Sequence, residues 1–190
     1  MSTMSIDVGK ESVMVDELLD LVNKKDQIIG KVWKSKANQN PKLIHREIAI
    51  IIYNEGGKVL FQKRSKNKKV NPGIWAETVA GHVGKGEKPL KTAHRELNEE
   101  VGFDTELKFF EKTLAHAPNE THFTYWFYGK YPRDVKIKLR KEEVEKVAFL
   151  SPHELQSLIE SGEVYDPIRS GGQPRDMVKE FWKMNIAFED

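Results

Sequence analysis

Residues Gly81–Phe103 read GHVGKGEKPLKTAHRELNEEVGF. Within this stretch Glu96, Glu99 and Glu100 stand at i, i+3 and i+4, so a helix would carry all three carboxylates on one side. Leu90, Ala93, Leu97 and Val101 recur at helical spacing and predict a core-facing stripe beside the acidic one. Pro89 suits a first helical turn, where its missing N–H is no loss. Gly102 suits the left-handed residue that closes a helix. The pattern therefore predicts a helix over 88–101. Two of its three acids fall in the last turn, where the helix dipole is negative. Like charges at this spacing also repel, by about a few tenths of a kcal/mol per pair. Acid gathered where the backbone disfavours it calls for a compensating cation, and all-oxygen donors select a hard one, Mg²⁺ or Mn²⁺.

Runs of glutamate on helices are commonly solvated faces, so the surroundings of this one decide its reading. Gly81, Gly84 and Gly86 precede it in a loop flexible enough to bring backbone carbonyls toward an ion. Glu87 lies eight residues, about two helical turns, before Arg95, and the two could brace loop against helix.

Outward from this stretch, the chain alternates strand and helix signals. Leu18–Val22 and Ile28–Trp33 flank the polar Lys24-Lys25-Asp26 and predict a hairpin, while residues 34–41 read as a loop. Glu47–Tyr53, EIAIIIY, is a β-branched run of the kind buried on both faces of a central strand. Asn54-Glu55-Gly56-Gly57 turns it back into Val59–Arg64. Trp75–Ala80 predicts a short strand feeding the Gly81 loop, and Leu107–Thr113, Thr121–Tyr128 and Val147–Leu150 predict three more. Ser151 with Glu154 forms a capping box for a helix to Ser161. A last amphipathic helix follows from Asp176 to about Ile186. Strands mixed with helices imply an α/β protein, a sheet covered on both faces.

Composition narrows the class. A chain of 190 residues favours one domain with a substantial core. A net charge of +2 gives no overall push toward nucleic acid or membrane. No apolar run approaches the roughly 20 residues of a membrane helix, and the first residues lack a basic-then-apolar secretory pattern. The absence of cysteine excludes disulfides, thiolate metal ligands and cysteine nucleophiles. The expectation is a cytoplasmic enzyme with a flexible tail over 1–14 and a single domain over 15–190.

Gly81, Glu87 and the run Arg95-Glu96-Leu97-Asn98-Glu99-Glu100-Val101-Gly102-Phe103 together resemble the box motif of the Nudix hydrolase superfamily, with every defined position filled. The resemblance implies a Nudix-type α/β/α sandwich with a mixed β-sheet, here carrying an N-terminal β-hairpin over 15–44, a core over about 45–175 and a C-terminal helix over 176–187. It implies that Glu96, Glu99 and Glu100 ligate divalent metal, with the Gly81 carbonyl a further ligand. Arg95 would orient Glu96, and Glu87 would be mainly structural.

A looser similarity, over about residues 18–130, is to type I isopentenyl-diphosphate isomerases and their hydrolase-like relatives, on LIHREIAIIIYN, QKRSKNKKVNPGIW and AGH. In the isomerases two histidines and two acids bind a divalent metal. His45, His82 and Glu120 match three of those positions, His122 stands where the second acid belongs, and Asn38 falls roughly where a further histidine would be. Ala80 occupies the place of the isomerase catalytic cysteine, so thiol proton transfer is impossible in this chain. The structural alternative for His45 and His82 is that each is a satisfied residue near a strand end.

Arg64, Lys66, Lys68 and Lys69 form a basic loop beside the strand that feeds Gly81. Arg64 is the preferred phosphate ligand, because its fork grips two oxygens, and Lys68 is second. Glu120 and His122 lie two apart and face the same side of an extended chain. Glu120 is one candidate base, and Glu99 and Glu100 acting through the cation are others. Trp75, Phe123, Tyr125 and Trp126 are more often core than base-stacking groups. The reading is a Mg²⁺- or Mn²⁺-dependent hydrolase of small-molecule diphosphates. Its rivals are an isomerase and a non-catalytic nucleotide- or metabolite-binding module. The hairpin could cover a neighbouring subunit as readily as its own sheet, which leaves a homodimer open.

Overall fold

The computed structural model describes residues 16–68, 71–164 and 174–184. Its elements in chain order are β1 (Leu18–Val22), β2 (Ile28–Trp33), α1 (Lys34–Ala37), β3 (His45–Tyr53), β4 (Val59–Arg64), β5 (Trp75–Ala76), β6 (Val79–His82) and α2 (Pro89–Val101). Then come β7 (Lys108–His116), β8 (Thr121–Lys130), β9 (Val144–Leu150), α3 (Pro152–Glu160) and α4 (Pro174–Lys183). A seven-stranded mixed sheet runs β5-β4-β3-β8-β7, with β6 added on β3 and β9 on β4. The β3–β8 pairing is parallel over nine residue pairs, and the other pairings are antiparallel.

Strand β3 sets the layering. Alternate side chains of a strand point to opposite faces. Ile48, Ile50 and Ile52 pack with Ala93, Leu97 and Val101 of α2 on one face. Ala49 and Ile51 pack with Leu155 of α3 and Met177, Val178 and Phe181 of α4 on the other. The continuous apolar run thus becomes the middle of an α/β/α sandwich, as expected.

Several local expectations shift. The strand read over Trp75–Ala80 divides at Glu77-Thr78, because the buried Thr78 hydroxyl bonds the Leu60 carbonyl and accepts from Ile52 N at 3.1 Å, bridging β3 and β4 from the side. The 34–41 loop holds one helical turn, α1. Leu90, assigned to the core stripe, is 44% exposed in the first turn of α2. Ser151 and Glu154 do form the reciprocal capping box of α3. Lys69, residues 1–14 and residues beyond Met184 lie outside the described residues.

The hairpin β1–β2 docks on its own chain. Asp26 at its tip takes bonds from Arg46 Nε (2.6 Å), Lys112 Nζ (2.9 Å) and the Tyr125 hydroxyl. Val22 N donates to Ile44 O at 2.9 Å.

Candidate functional site

The first cluster is built at the junction of β6 and α2. Gly102, at φ 77°, closes α2 in the left-handed conformation and donates to Asn98 O. A side chain there would also strike Lys138, with a Cβ only 2.7 Å from that residue's Cβ. The following loop returns over the helix end, where Lys138 N bonds Val101 O (2.9 Å) and Arg140 N bonds Glu100 O (3.0 Å). These amides satisfy carbonyls that the helix leaves unpaired. Glu99 and Glu100 therefore stand on a rigid terminus.

The acidic side chains differ sharply in surroundings. Glu96 lies against Gly81 so closely that an ideal Cβ on Gly81 would fall 2.7 Å from the Glu96 carboxyl carbon. Only glycine leaves room for that carboxylate beside the Gly81 backbone. Arg95 Nη1 holds Glu96 Oε1 at 2.8 Å, and Nε and Nη2 of the same guanidinium reach Glu87 at 3.3 and 3.2 Å. The brace expected between Glu87 and Arg95 is present. Desolvation works to raise the Glu87 carboxyl, but the bonds from Arg95 and Thr92 and the Arg95 charge together outweigh it, and the pKa is lowered.

Glu100 is buried and takes a hydrogen bond from Gln62 Nε2 of β4 at 3.1 Å. Burial first, and then the Glu96 charge, push its carboxyl up to about 8. Burial likewise raises Glu96. Glu99 is 43% exposed at its side chain, 3.6 Å from Arg95 and 4.0 Å from Arg140. Glu96 and Glu100 thus have less cationic compensation than their burial demands, and Glu99 stands exposed on the same helix turn.

The phosphate-binding candidates flank this cluster. Lys68 is ion-paired with Glu143, and its charge also acts on Glu100. Arg64 ends β4, and its charge is felt by Glu143 and by the buried Glu77, whose carboxyl burial pushes up to about 7. Gln62, Glu77, Arg140 and Glu143 escaped the sequence reading, since no local spacing links them to the box.

A second cluster forms where β3, β6 and β8 run side by side. The register places Glu47 opposite His82 and His45 opposite His122. The Glu47 carboxylate lies 3.0 Å from His82 Nε2, 3.4 Å from His122 Nε2 and 3.6 Å from His45 Nε2. His45 and His82 stack with ring centroids 5.1 Å apart. Ligand atoms of His45, Glu47, Glu120 and His122 all lie within 4.8 Å of one another. Asn38, oriented to satisfy its neighbours, donates to Glu120 Oε2 (3.3 Å) and His82 Nε2 (3.2 Å).

Electrostatics in this cluster run the other way. Burial opposes ionisation of Glu47, yet His122, His82 and His45 together hold its carboxyl well below the ordinary 4.5. Burial drives His82 down to about 3, against the attraction of the Glu47 charge. Burial and the Glu47 charge raise Glu120. His45 Nε2 has no hydrogen-bond partner. The structure brings together His45, His82, His122 and Glu120 from the sequence reading. Glu47 was missed because it looked like the first residue of an apolar strand.

Because Ile48 pairs with Gly81 and Glu47 with His82, the Gly81-His82 dipeptide joins the two clusters. Ala80 precedes it, paired with Ala49.

Comparison with known proteins agrees with this anatomy. Residues 43–168 match the model of the NUDIX domain. An uncharacterized Nudix hydrolase of Listeria monocytogenes is 34% identical over 144 residues, covering 76% of this chain and 85% of that protein. An isopentenyl-diphosphate Delta-isomerase of Photorhabdus laumondii is 34% identical over 150 residues, covering 76% and 83%. Among solved structures, a protein of Deinococcus radiodurans superposes with a TM-score of 0.70 at 20% identity, covering 86% of this chain and 98% of that one. The likeness to that structure concerns the fold. The chain belongs to the Nudix family of hydrolases.

Proposed function

We propose that this protein hydrolyses the diphosphate bond of a small organic diphosphate, such as a nucleoside diphosphate linked to another group. Glu96, Glu99, Glu100 and the Gly81 carbonyl would hold Mg²⁺ or Mn²⁺. The observation that carries this reading is the placement of Glu100, a buried acid bonded by Gln62, on one helix face with Glu96, which packs against the Gly81 backbone. A carboxyl so placed is expensive to ionise alone, whereas a doubly charged neighbour favours its anionic form. All donors are oxygens, as Mg²⁺ and Mn²⁺ prefer, and the Gly81 backbone lies directly against Glu96. When bound, the cation supplies positive charge to the diphosphate oxygens and makes water a better nucleophile.

The chain's own groups supply the rest. Arg95 fixes Glu96 between loop and helix, and Gln62 orients Glu100. Arg64 and Lys68 would take up phosphate charge, which for Lys68 means exchanging Glu143 for substrate. The proton acceptor would be Glu99, Glu100 or Glu120. Glu99 has the readiest access to water.

The His45, Glu47, His82, His122 and Glu120 cluster would hold a second divalent ion. His82 Nε2 lies 3.0 Å from the Glu47 carboxylate, and ligand atoms of His45, Glu47, Glu120 and His122 lie within 4.8 Å of one another. A cation held among them would give His45 Nε2, which has no hydrogen-bond partner, a ligand role. Mixed imidazole and carboxylate donors favour a transition metal over Mg²⁺.

Residues 15–190 would form the catalytic unit, in a cytoplasmic setting. Ala80 weighs against the isomerase rival, since it supplies no thiol. The intact set of three box acids weighs against a pure binding module. A panel of nucleoside diphosphate derivatives and isoprenoid diphosphates, assayed with Mg²⁺ for release of monophosphate or phosphate, tests the proposal. Metal-dependent release is expected, and interconversion of C5 diphosphate isomers without release would replace hydrolysis by isomerisation.

A further inference from the structure

The residues matching the family begin at 43, so the β1–β2 hairpin lies outside them. The hairpin is nevertheless bonded to the loop of the box at three consecutive points. Lys85 N donates to Leu18 O at 2.8 Å, Leu19 and Gly84 form an isolated antiparallel bridge, and Gly86 N donates to Asp20 Oδ2 at 3.0 Å. Asp20 is a carboxylate only 6% exposed in a strand whose neighbours Leu19 and Val22 belong to the core. A charged acid is not buried there for packing, because desolvation penalises it unless a donor compensates. Gly86, at φ 73°, turns its amide to meet it.

Immediately after Gly86 the bracing chain of the box begins. Glu87 N closes the turn on Gly84 O at 2.9 Å. The Glu87 carboxylate grips Arg95 through two bonds, and Arg95 grips Glu96 at 2.8 Å. Glu96 in turn rests on Gly81. From Glu87 through Arg95 to Glu96 each side chain is held by the previous one, and the turn that carries Glu87 is held from outside the box by Asp20.

We propose that Asp20 is a positioning residue of the box, fixing the 84–87 turn so that Glu87, Arg95 and Glu96 keep the geometry that binds metal. This rests on the reading of Glu96, Glu99 and Glu100 as the metal site. The hairpin also supplies its own control. Asp26 clamps the tip through Arg46, Lys112 and Tyr125, none of which belongs to the box loop. Loss of Asp26 therefore loosens the hairpin without touching the Glu87–Arg95–Glu96 chain.

The test measures Mn²⁺ affinity directly, by the electron paramagnetic resonance signal of free Mn²⁺, on the full chain and its Asp20→Ala, Asp20→Asn, Asp26→Ala and Glu100→Gln variants. Asp20→Ala should weaken Mn²⁺ binding about tenfold, the size of effect typical for groups that orient metal ligands. The Mn²⁺ concentration for half-maximal activity should rise equally, with kcat at saturating Mn²⁺ within about twofold. Asp20→Asn keeps an oxygen for Gly86 N and should restore near-normal affinity. Asp26→Ala should lower Tm and leave Mn²⁺ affinity alone. The inference is overturned if Asp20→Ala binds Mn²⁺ normally, if Asp20→Asn is as weak as Asp20→Ala, or if Asp26→Ala weakens binding equally. Should Asp20→Ala not fold, Asp20→Ser, too short to reach Gly86, is read by the same criteria. Wild-type protein that bound no Mn²⁺ in a Glu100-dependent manner would sink the metal-site reading itself. Normal binding that Asp20→Ala left unchanged would sink this inference alone.

Discussion

The acidic cluster at the end of α2 and the histidine cluster on β3, β6 and β8 adjoin across Gly81 and His82, yet they solve opposite problems. At the box, burial leaves Glu96 and Glu100 short of positive charge, and both carboxyls rise. Around Glu47, three imidazoles gather on one carboxylate, and its pKa falls. On the proposed reading, the first cluster is completed by a cation. The second is nearly self-compensated and holds two imidazole nitrogens without hydrogen-bond partners, His45 Nε2 and His122 Nδ1. A site of the first kind suits ions that come and go with a diphosphate. One of the second kind suits an ion retained between turnovers.

The sharpest way to break this contrast is Glu100→Gln. Turnover should fall by orders of magnitude while Tm stays equal or rises, because an acid that resists ionisation is replaced by a neutral amide. Near-normal activity would mean the box is not the metal site. Glu47→Gln should act at the other cluster, lowering transition-metal content by elemental analysis about 10- to 100-fold, the range seen when ligand sets are disturbed. Unchanged content would show that the imidazoles do not hold metal.

Gly81→Ala should cut kcat/KM by at least about tenfold, with a stability loss of about 1–3 kcal/mol on denaturant unfolding, since its Cβ would overlap Glu96. Retention of wild-type kinetics would mean that the approach of Gly81 to Glu96 is unimportant.

The two clusters should also oppose one another in pH dependence. Glu100 binds protons more tightly folded than unfolded, its pKa raised from 4.5 to about 8. Its contribution is therefore full below pH 4.5 and lost as pH rises toward 8. His82 is lowered from 6.5 to about 3, so its contribution is present above pH 6.5 and lost as pH falls toward 3. In metal-free protein, Glu100→Gln should flatten the decline in Tm between pH 4.5 and 8 and leave the acid limb intact. An unaltered alkaline limb would contradict the assignment. The smallest effect expected is from Lys68→Ala, a rise in KM for the diphosphate of several-fold with little change in kcat. No change in KM would leave Lys68 as a partner of Glu143 only.

Much of this anatomy was legible along the chain. The ExxEE spacing, the helix-ending Gly102 and the Glu87–Arg95 brace are local patterns, and EIAIIIY announced a strand buried on both faces. The illegible part depends on register. Glu47 reads as the first residue of an apolar strand, and only the pairing of β3 with both β6 and β8 sets it among three histidines. Gln62 lies 38 residues from Glu100, on a strand whose contribution depends on how β4 lies over α2. Leu90 fitted the helical stripe, yet in the first turn of α2 it is exposed. Asp20 sits in a hairpin whose docking no periodicity encodes.

The most direct test of the central claim is anomalous diffraction from crystals soaked in Mn²⁺ with a non-hydrolysable diphosphate. A peak coordinated by Glu96, Glu99 and Glu100 is predicted. Density for the diphosphate with no anomalous signal among those three carboxylates would contradict the account.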